Sequence, residues 1–157
     1  MAHRLMRTVD RLFMRAPLER VFAAASDVVR WPAILPHYRY VRMLEARPDG
    51  GLVEMSANRP FGPLDWPTWW TSEMWIEPDA RRVRYRHVRG ITTGMDVEWA
   101  LVPVPGGTDV TIVHEWAGPA WPLVGGLAAG LVIGPVFVHG IASRTLKGIQ
   151  RDVERVP

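Results

Sequence analysis

Leu5–Met14 alternates loosely between apolar and polar residues, and this period of two predicts a first β-strand. Ala16-Pro17-Leu18-Glu19 then predicts a helix start. Proline suits the first helical position, and Glu19 favours the positive end of the helix dipole. Val21, Phe22 and Ala25 supply its apolar face. Ser26-Asp27 breaks that helix and can cap a second short one, predicted to end at Trp31-Pro32 because the residue before proline avoids the α region. Further alternating runs follow, each closed by turn residues. They are Tyr38–Ala46 before Pro48-Asp49-Gly50-Gly51, Leu52–Asn58 before Pro60-Phe61-Gly62-Pro63, and Trp66–Ile76 before Pro78-Asp79. Arg82–Val88 before Gly90, Met95–Val104 before Pro105-Gly106-Gly107, and Asp109–Trp116 before Gly118-Pro119 complete the set. The pattern predicts seven strands in an antiparallel meander after a helical pair.

The tail, Ala120–Val156, reads as helix. Trp121–Ala142 carries no Asp, Glu, Lys or Arg over 22 residues, long enough to cross a bilayer. Five glycines and the prolines Pro122 and Pro135 interrupt it, so a helix buried in a curved sheet is the more economical reading. After Pro135 the pattern turns amphipathic, with His139, Ala142, Leu146, Ile149 and Val153 sharing one face.

Composition narrows the class. A chain of 157 residues with 48% hydrophobic and 22% charged residues fits one globular domain, 1–157. It contains no cysteine, which excludes disulfides and thiolate metal sites. No apolar stretch follows Met1, so the expected location is the cytoplasm. The net charge of +3 comes from arginine, since Lys147 is the single lysine, and this modest excess does not indicate nucleic acid. The histidines lack short ligand spacing, so no metal site is expected.

Eight tryptophans are the strongest compositional signal. Placed on strands, they fit an aromatic core or a sheet lining a cavity for a flat, apolar ligand. Alternation assigns faces. Val110, Ile112, His114 and Trp116 point one way in the last strand; Met95, Val97, Trp99 and Leu101 do so in the one before. Val83, Tyr85 and His87 point inward, leaving Arg82, Arg84 and Arg86 as a basic outer stripe. In the Trp-rich strand, Glu73 marks its own face as outer. Trp69 and Trp75 then lie outside, and Trp70, Ser72 and Met74 inside.

Ala16–Phe22 (Ala-Pro-Leu-Glu-Arg-Val-Phe), Ser26–Pro36 (Ser-Asp-Val-Val-Arg-Trp-Pro-Ala-Ile-Leu-Pro), Met95–Trp99 and Gly106–Trp116 together resemble the polyketide cyclase/dehydrase family of the START-like, Bet v 1-like (SRPBCC) superfamily. Within it the chain looks most like the bacterial aromatase/cyclases, and the resemblance covers almost the whole chain. It implies an α+β helix-grip fold, a seven-stranded antiparallel sheet wrapped around a long C-terminal helix, with a deep cavity between them. It also implies a poly-β-ketone substrate delivered by an acyl carrier protein, and no cofactor. Carried over residue by residue, it puts Trp31, Leu35 and Tyr38 at the mouth, with Arg59 nearby. Trp70, Ser72, Trp99 and His114 lie deeper. The arginine that the aromatase/cyclases place two residues after that serine is Met74 here.

Cyclisation and dehydration need a base for an activated C–H and a donor for the carbonyl. His114 is the best candidate base, with Arg59 and Tyr38 completing a catalytic set. His139 can meet it from the last helix, and Tyr85, His87, Met95 and Trp116 join the substrate-binding wall. The other reading of His114 is a hydrogen-bonded core histidine. Two functions remain open: a cyclase/aromatase-dehydratase, and a non-catalytic carrier of a hydrophobic small molecule or lipid, which Met74 and the apolar tail favour. The expected partners are a hydrophobic or aromatic small molecule, a second copy in a homodimer, and a carrier protein docked on the stripe of Arg82, Arg84, Arg86 and Arg89, whose other and simpler reading is an ordinary solvated strand face. Membrane anchoring is the weakest alternative.

Overall fold

The computed structural model describes residues 6–61, 64–90, 92–117 and 135–155. Strand β1 (Met6–Met14) leads into helix α1 (Leu18–Ser26), a 3₁₀ turn over Val28–Arg30, and the single-turn helix α2 (Trp31–Ile34). Strands β2 (Tyr38–Arg47), β3 (Gly50–Phe61), β4 (Leu64–Glu77), β5 (Arg82–Gly90), β6 (Asp96–Val104) and β7 (Gly107–Trp116) follow, and then helix α3 (Pro135–Glu154). The strands form one antiparallel sheet in the order β1-β7-β6-β5-β4-β3-β2, so β1 and β2 are its two edges. This is the α+β helix-grip fold, with α3 laid against β1, β3 and β7.

Local chemistry explains most boundaries. Val21, Ala24 and Ala25 are the buried stripe of α1, and Glu19 sits in its first turn. The helical segment does not end at Trp31-Pro32 as expected. Pro32 instead lies in the first turn of α2, where a missing N–H costs no hydrogen bond. β3 runs on through Pro60-Phe61 and pairs with a β4 that begins at Leu64, since prolines at a hairpin's end remove few ladder bonds. Gly50, at φ +143°, closes the β2–β3 hairpin so tightly against β4 that a Cβ there would lie 1.9 Å from the Met74 carbonyl oxygen.

The inner face carries Val53, Met55 and Ala57 of β3, Val83 and Tyr85 of β5, and Trp99 and Leu101 of β6, all buried. Val138, Ala142, Leu146, Ile149 and Val153 of α3 close over them. Gly148 lets α3 approach α2; a Cβ there would stand 2.2 Å from a Leu35 methyl. Among the described residues, no helix is long and apolar enough to cross a membrane. The stretch 118–134, most of the uncharged tail, lies outside the described residues.

Candidate functional site

Between sheet and α3 lies an aromatic cavity. Trp31 from α2 stacks obliquely on Trp99 of β6, centroids 5.6 Å apart, and meets Tyr38 edge-on at 5.3 Å. Tyr38 in turn meets Trp70, and Trp70 stacks on His87 with 13° between planes. Tyr85, Met95 and His114 complete the part of the lining expected from sequence. Met55, Thr92, Ile141 and Thr145 also line it and were not anticipated. Two of these, Met55 and Ile141, are inward-facing apolar residues that alternation and helical period could have identified. The enclosed space is about 70 Å³. Ligand pockets commonly measure roughly 300–1,000 Å³, so a ligand of more than a few atoms enters only if the lining parts.

Several expected site residues are elsewhere. Leu35 is fully buried against Gly148 rather than at a mouth, because the close helix approach needs its side chain there. Ser72 and Met74 are buried in the wall behind the lining. Trp116 is buried too, but its indole N–H donates to the Thr93 carbonyl at 3.1 Å and closes the β5–β6 turn instead of facing the cavity. His139 is a clear correction. Its side chain is 66% exposed and its Nδ1 bonds the Asp10 carboxylate of β1, so it does not meet His114 in the cavity. The cavity face of α3 runs through Val138, Ile141, Ala142 and Thr145, which leaves His139 at its border. The Arg59 side chain lies outside those described; its backbone pairs with Trp66 in the β3–β4 hairpin. Trp69 is 49% exposed on the outer face, and Trp75 sits there with the Arg84 guanidinium over its ring.

Burial sets the protonation states. It pushes His114 down to about 4, and His114 Nδ1 is enclosed with no partner among the described residues. Burial, with a smaller push from His114, takes His87 down to about 3. His87 Nδ1 lies 2.7 Å from the Thr92 hydroxyl, so this ring is held. Both imidazoles are neutral at pH 7. Burial also raises the Tyr38 phenol, against a smaller opposing pull from the Thr145 hydroxyl. Tyr85 is raised well above its ordinary value by burial and then by Tyr38, and its hydroxyl has no partner among the described residues. Among the described lining residues there is no carboxylate, arginine or lysine. The arrangement therefore offers neutral bases and neutral donors facing an apolar space. Imidazoles held this low are weak bases, so they can take a proton only from an activated C–H whose developing oxyanion is held by phenols.

One polar feature escaped the sequence. Asp10 points inward from β1 and is nearly fully buried, with Oδ2 unpartnered among the described residues. On the same face, Thr8 stands directly across the ladder from His114, and its hydroxyl is likewise unpartnered. Alternation from Met14 back to Met6 carried the signal, but a charged residue in an edge strand reads by default as outward.

Comparison with known proteins bears on the family and the fold. A family model described as "Polyketide cyclase / dehydrase and lipid transport" matches residues 14–136. The actinorhodin polyketide synthase bifunctional cyclase/dehydratase of Streptomyces coelicolor is 28% identical over 113 residues, covering 71% of this chain and 34% of that protein. The granaticin polyketide synthase bifunctional cyclase/dehydratase of Streptomyces violaceoruber is 29% identical over 119 residues, covering 73% and 34%. The chain thus spans about a third of the length of these curated relatives. Among solved structures, the Zhui aromatase/cyclase from Streptomyces sp. R1128 superposes with TM-score 0.79 at 20% identity, over 97% of this chain and 95% of that one. A START superfamily protein from Mycobacterium smegmatis gives 0.73 at 14%, over 96% and 99%. At these identities the structural likeness speaks for the fold alone.

Proposed function

The chain belongs to the polyketide cyclase/dehydrase and lipid transport family, and on that premise we propose that it is a polyketide cyclase/aromatase-dehydratase acting on a carrier-bound poly-β-ketone by acid/base chemistry. The observation that carries this reading is a neutral His114 sharing one aromatic cavity with two buried phenols, Tyr38 and Tyr85. A methylene between two ketones is an activated C–H, and a base as weak as the buried His114 can deprotonate it only as a phenol stabilises the developing enolate. His114 takes that proton, and a phenol donates to the enolate oxygen. The enolate carbon attacks a second ketone, forming the C–C bond and an alkoxide that takes the first proton back from the His114 imidazolium. His114, neutral again, removes a neighbouring C–H proton and passes it to the departing hydroxyl, which leaves as water and leaves the ring unsaturated. Trp31, Trp70 and Trp99 fold the chain by packing on its flat, conjugated segments.

The test is incubation of the full chain with a carrier-bound poly-β-ketone and mass analysis of the products. Cyclised, dehydrated product that disappears in His114→Asn supports the reading. Equal product with and without the protein overturns it.

A second reading, a non-catalytic binder of a hydrophobic small molecule or lipid, is favoured by Met74. The position where the aromatase/cyclases carry an arginine is a core methionine, 1% exposed. Tight, stoichiometric retention of an apolar ligand without turnover would establish it.

A further inference from the structure

The basic stripe expected to meet an acidic carrier is not free. Arg82 pairs with Glu98, Arg84 with Glu77, and Arg86 with Asp96 on adjoining strands. Of that stripe Arg89 alone makes no ion pair among the described residues, whereas α3 groups three such cations together. Arg144, Lys147 and Arg151, at i, i+3 and i+7, share one helix face. None of the three makes an ion pair among the described residues. They line a groove of about 300 Å³ together with Pro36, His37 and Asn58, and this described lining holds no acid.

The groove has the marks of an oxyanion site. Burial first, and then the charges of Arg144 and Arg151, push His37 down to about 4. His37 therefore adds no charge of its own at neutral pH. The groove also adjoins the aromatic cavity. His37 Nε2 lies 3.0 Å from the hydroxyl of Thr145, which lines that cavity, and the His37 ring packs against Tyr38 at 4.9 Å. One layer of side chains separates the two spaces.

We propose that this groove binds the phosphodiester of a phosphopantetheine arm whose acyl group occupies the aromatic cavity. The inference rests on the cyclase reading for the identity of that acyl group. Two guanidinium groups match phosphate oxygens in bidentate fashion, with the lysine as a point charge beside them. The cations and the cavity together then read both ends of one ligand.

Calorimetric titration of the full chain at low salt with pantetheine 4′-phosphate and with pantetheine tests this. The phosphorylated probe should bind about tenfold or more tightly than pantetheine. That preference should vanish in Arg144→Gln/Arg151→Gln and persist in Arg82→Gln/Arg86→Gln, with thermal melts showing all three proteins folded. Equal binding of the two probes overturns the proposal, as does equal loss in both double variants. Capture by phosphatidylglycerol but not phosphatidylcholine vesicles through Arg144 and Arg151, with no preference for the phosphorylated probe, also overturns it and reassigns the groove to a lipid headgroup. Quenching of tryptophan fluorescence by a hydroxyanthraquinone reports the cavity separately. Quenching without phosphate preference sinks only the groove, and phosphate preference without quenching sinks only the cavity reading.

Discussion

The two faces of the sheet treat polar groups in opposite ways. Outside, charges are matched locally: Arg84 to Glu77 at 2.8 Å, Arg47 to Glu73 at 2.9 Å, and Arg7 to Glu115 at 3.2 Å. Inside, the hydroxyls of Thr8, Ser72 and Tyr85, one oxygen of Asp10 and Nδ1 of His114 have no partner among the described residues, and on the outer face only the buried Thr71 hydroxyl of β4 is in the same position. Each exposed pair outside is worth roughly 1 kcal/mol or less. Each buried polar atom left open costs about 1–3 kcal/mol. The fold thus gains little from its many outer pairs and tolerates a larger cost within. Of these open atoms the Tyr85 hydroxyl and His114 Nδ1 belong to cavity-lining residues, where a ligand's polar atoms can meet them.

Acid should expose this asymmetry most strongly. His37, His87 and His114 titrate near 4, 3 and 4 in the folded chain, below the ordinary 6.5 they regain on unfolding. Folded pKa values are depressed, so the unfolded chain takes up protons first as pH falls. Stability is complete above about pH 6.5 and drains away below it. Between pH 7 and 5 each histidine costs about 2 kcal/mol. Urea midpoints should fall steeply over that range, and His87→Gln should flatten the slope by about a third. A pH-independent midpoint would mean that these imidazoles are solvated.

Turnover comes next. His114→Asn should lower the rate by about 10²–10⁴-fold, whereas Glu98→Gln on the outer face leaves it unchanged; equal losses in product assays would erase the distinction between faces. The neighbouring indoles offer a third contrast. Trp70→Ala should cost about 3–5 kcal/mol in denaturant unfolding, and Trp69→Ala well under 1 kcal/mol. Tyr85→Phe removes an unpartnered hydroxyl, so stability should rise by about 1–3 kcal/mol while hydroxyanthraquinone affinity drops about tenfold. Smallest of all, Arg84→Gln should cost less than about 1 kcal/mol, and that difference should disappear in about 1 M salt.

The order of elements was legible because alternation, turn residues and the Pro17 helix start all pointed one way. The faces of β4 were legible from Glu73 alone. Events with no local signature were harder to read. The register shift between Thr71 and Ser72 opposite β5 comes from pairing, not from either strand's own pattern. Leu35 matched a pocket position, yet Gly148, over a hundred residues away, draws α3 onto it. His139 shares the period of Ala142 and Leu146, but a helix face is broad. Its partner, Asp10, was itself hidden by the expectation that charges point outward.

The two edges of the sheet have one more effect. Among the described residues β2 pairs only with β3 and presents an unpaired row of backbone groups, which in many proteins recruits further strands and ends in aggregates. Along that edge Arg39, Arg42, Glu45 and Arg47 are all exposed. A further strand arriving there would have to pack beside these charged side chains. This margin of arginine works as a gatekeeper, keeping a tryptophan-rich sheet from growing beyond its own last strand.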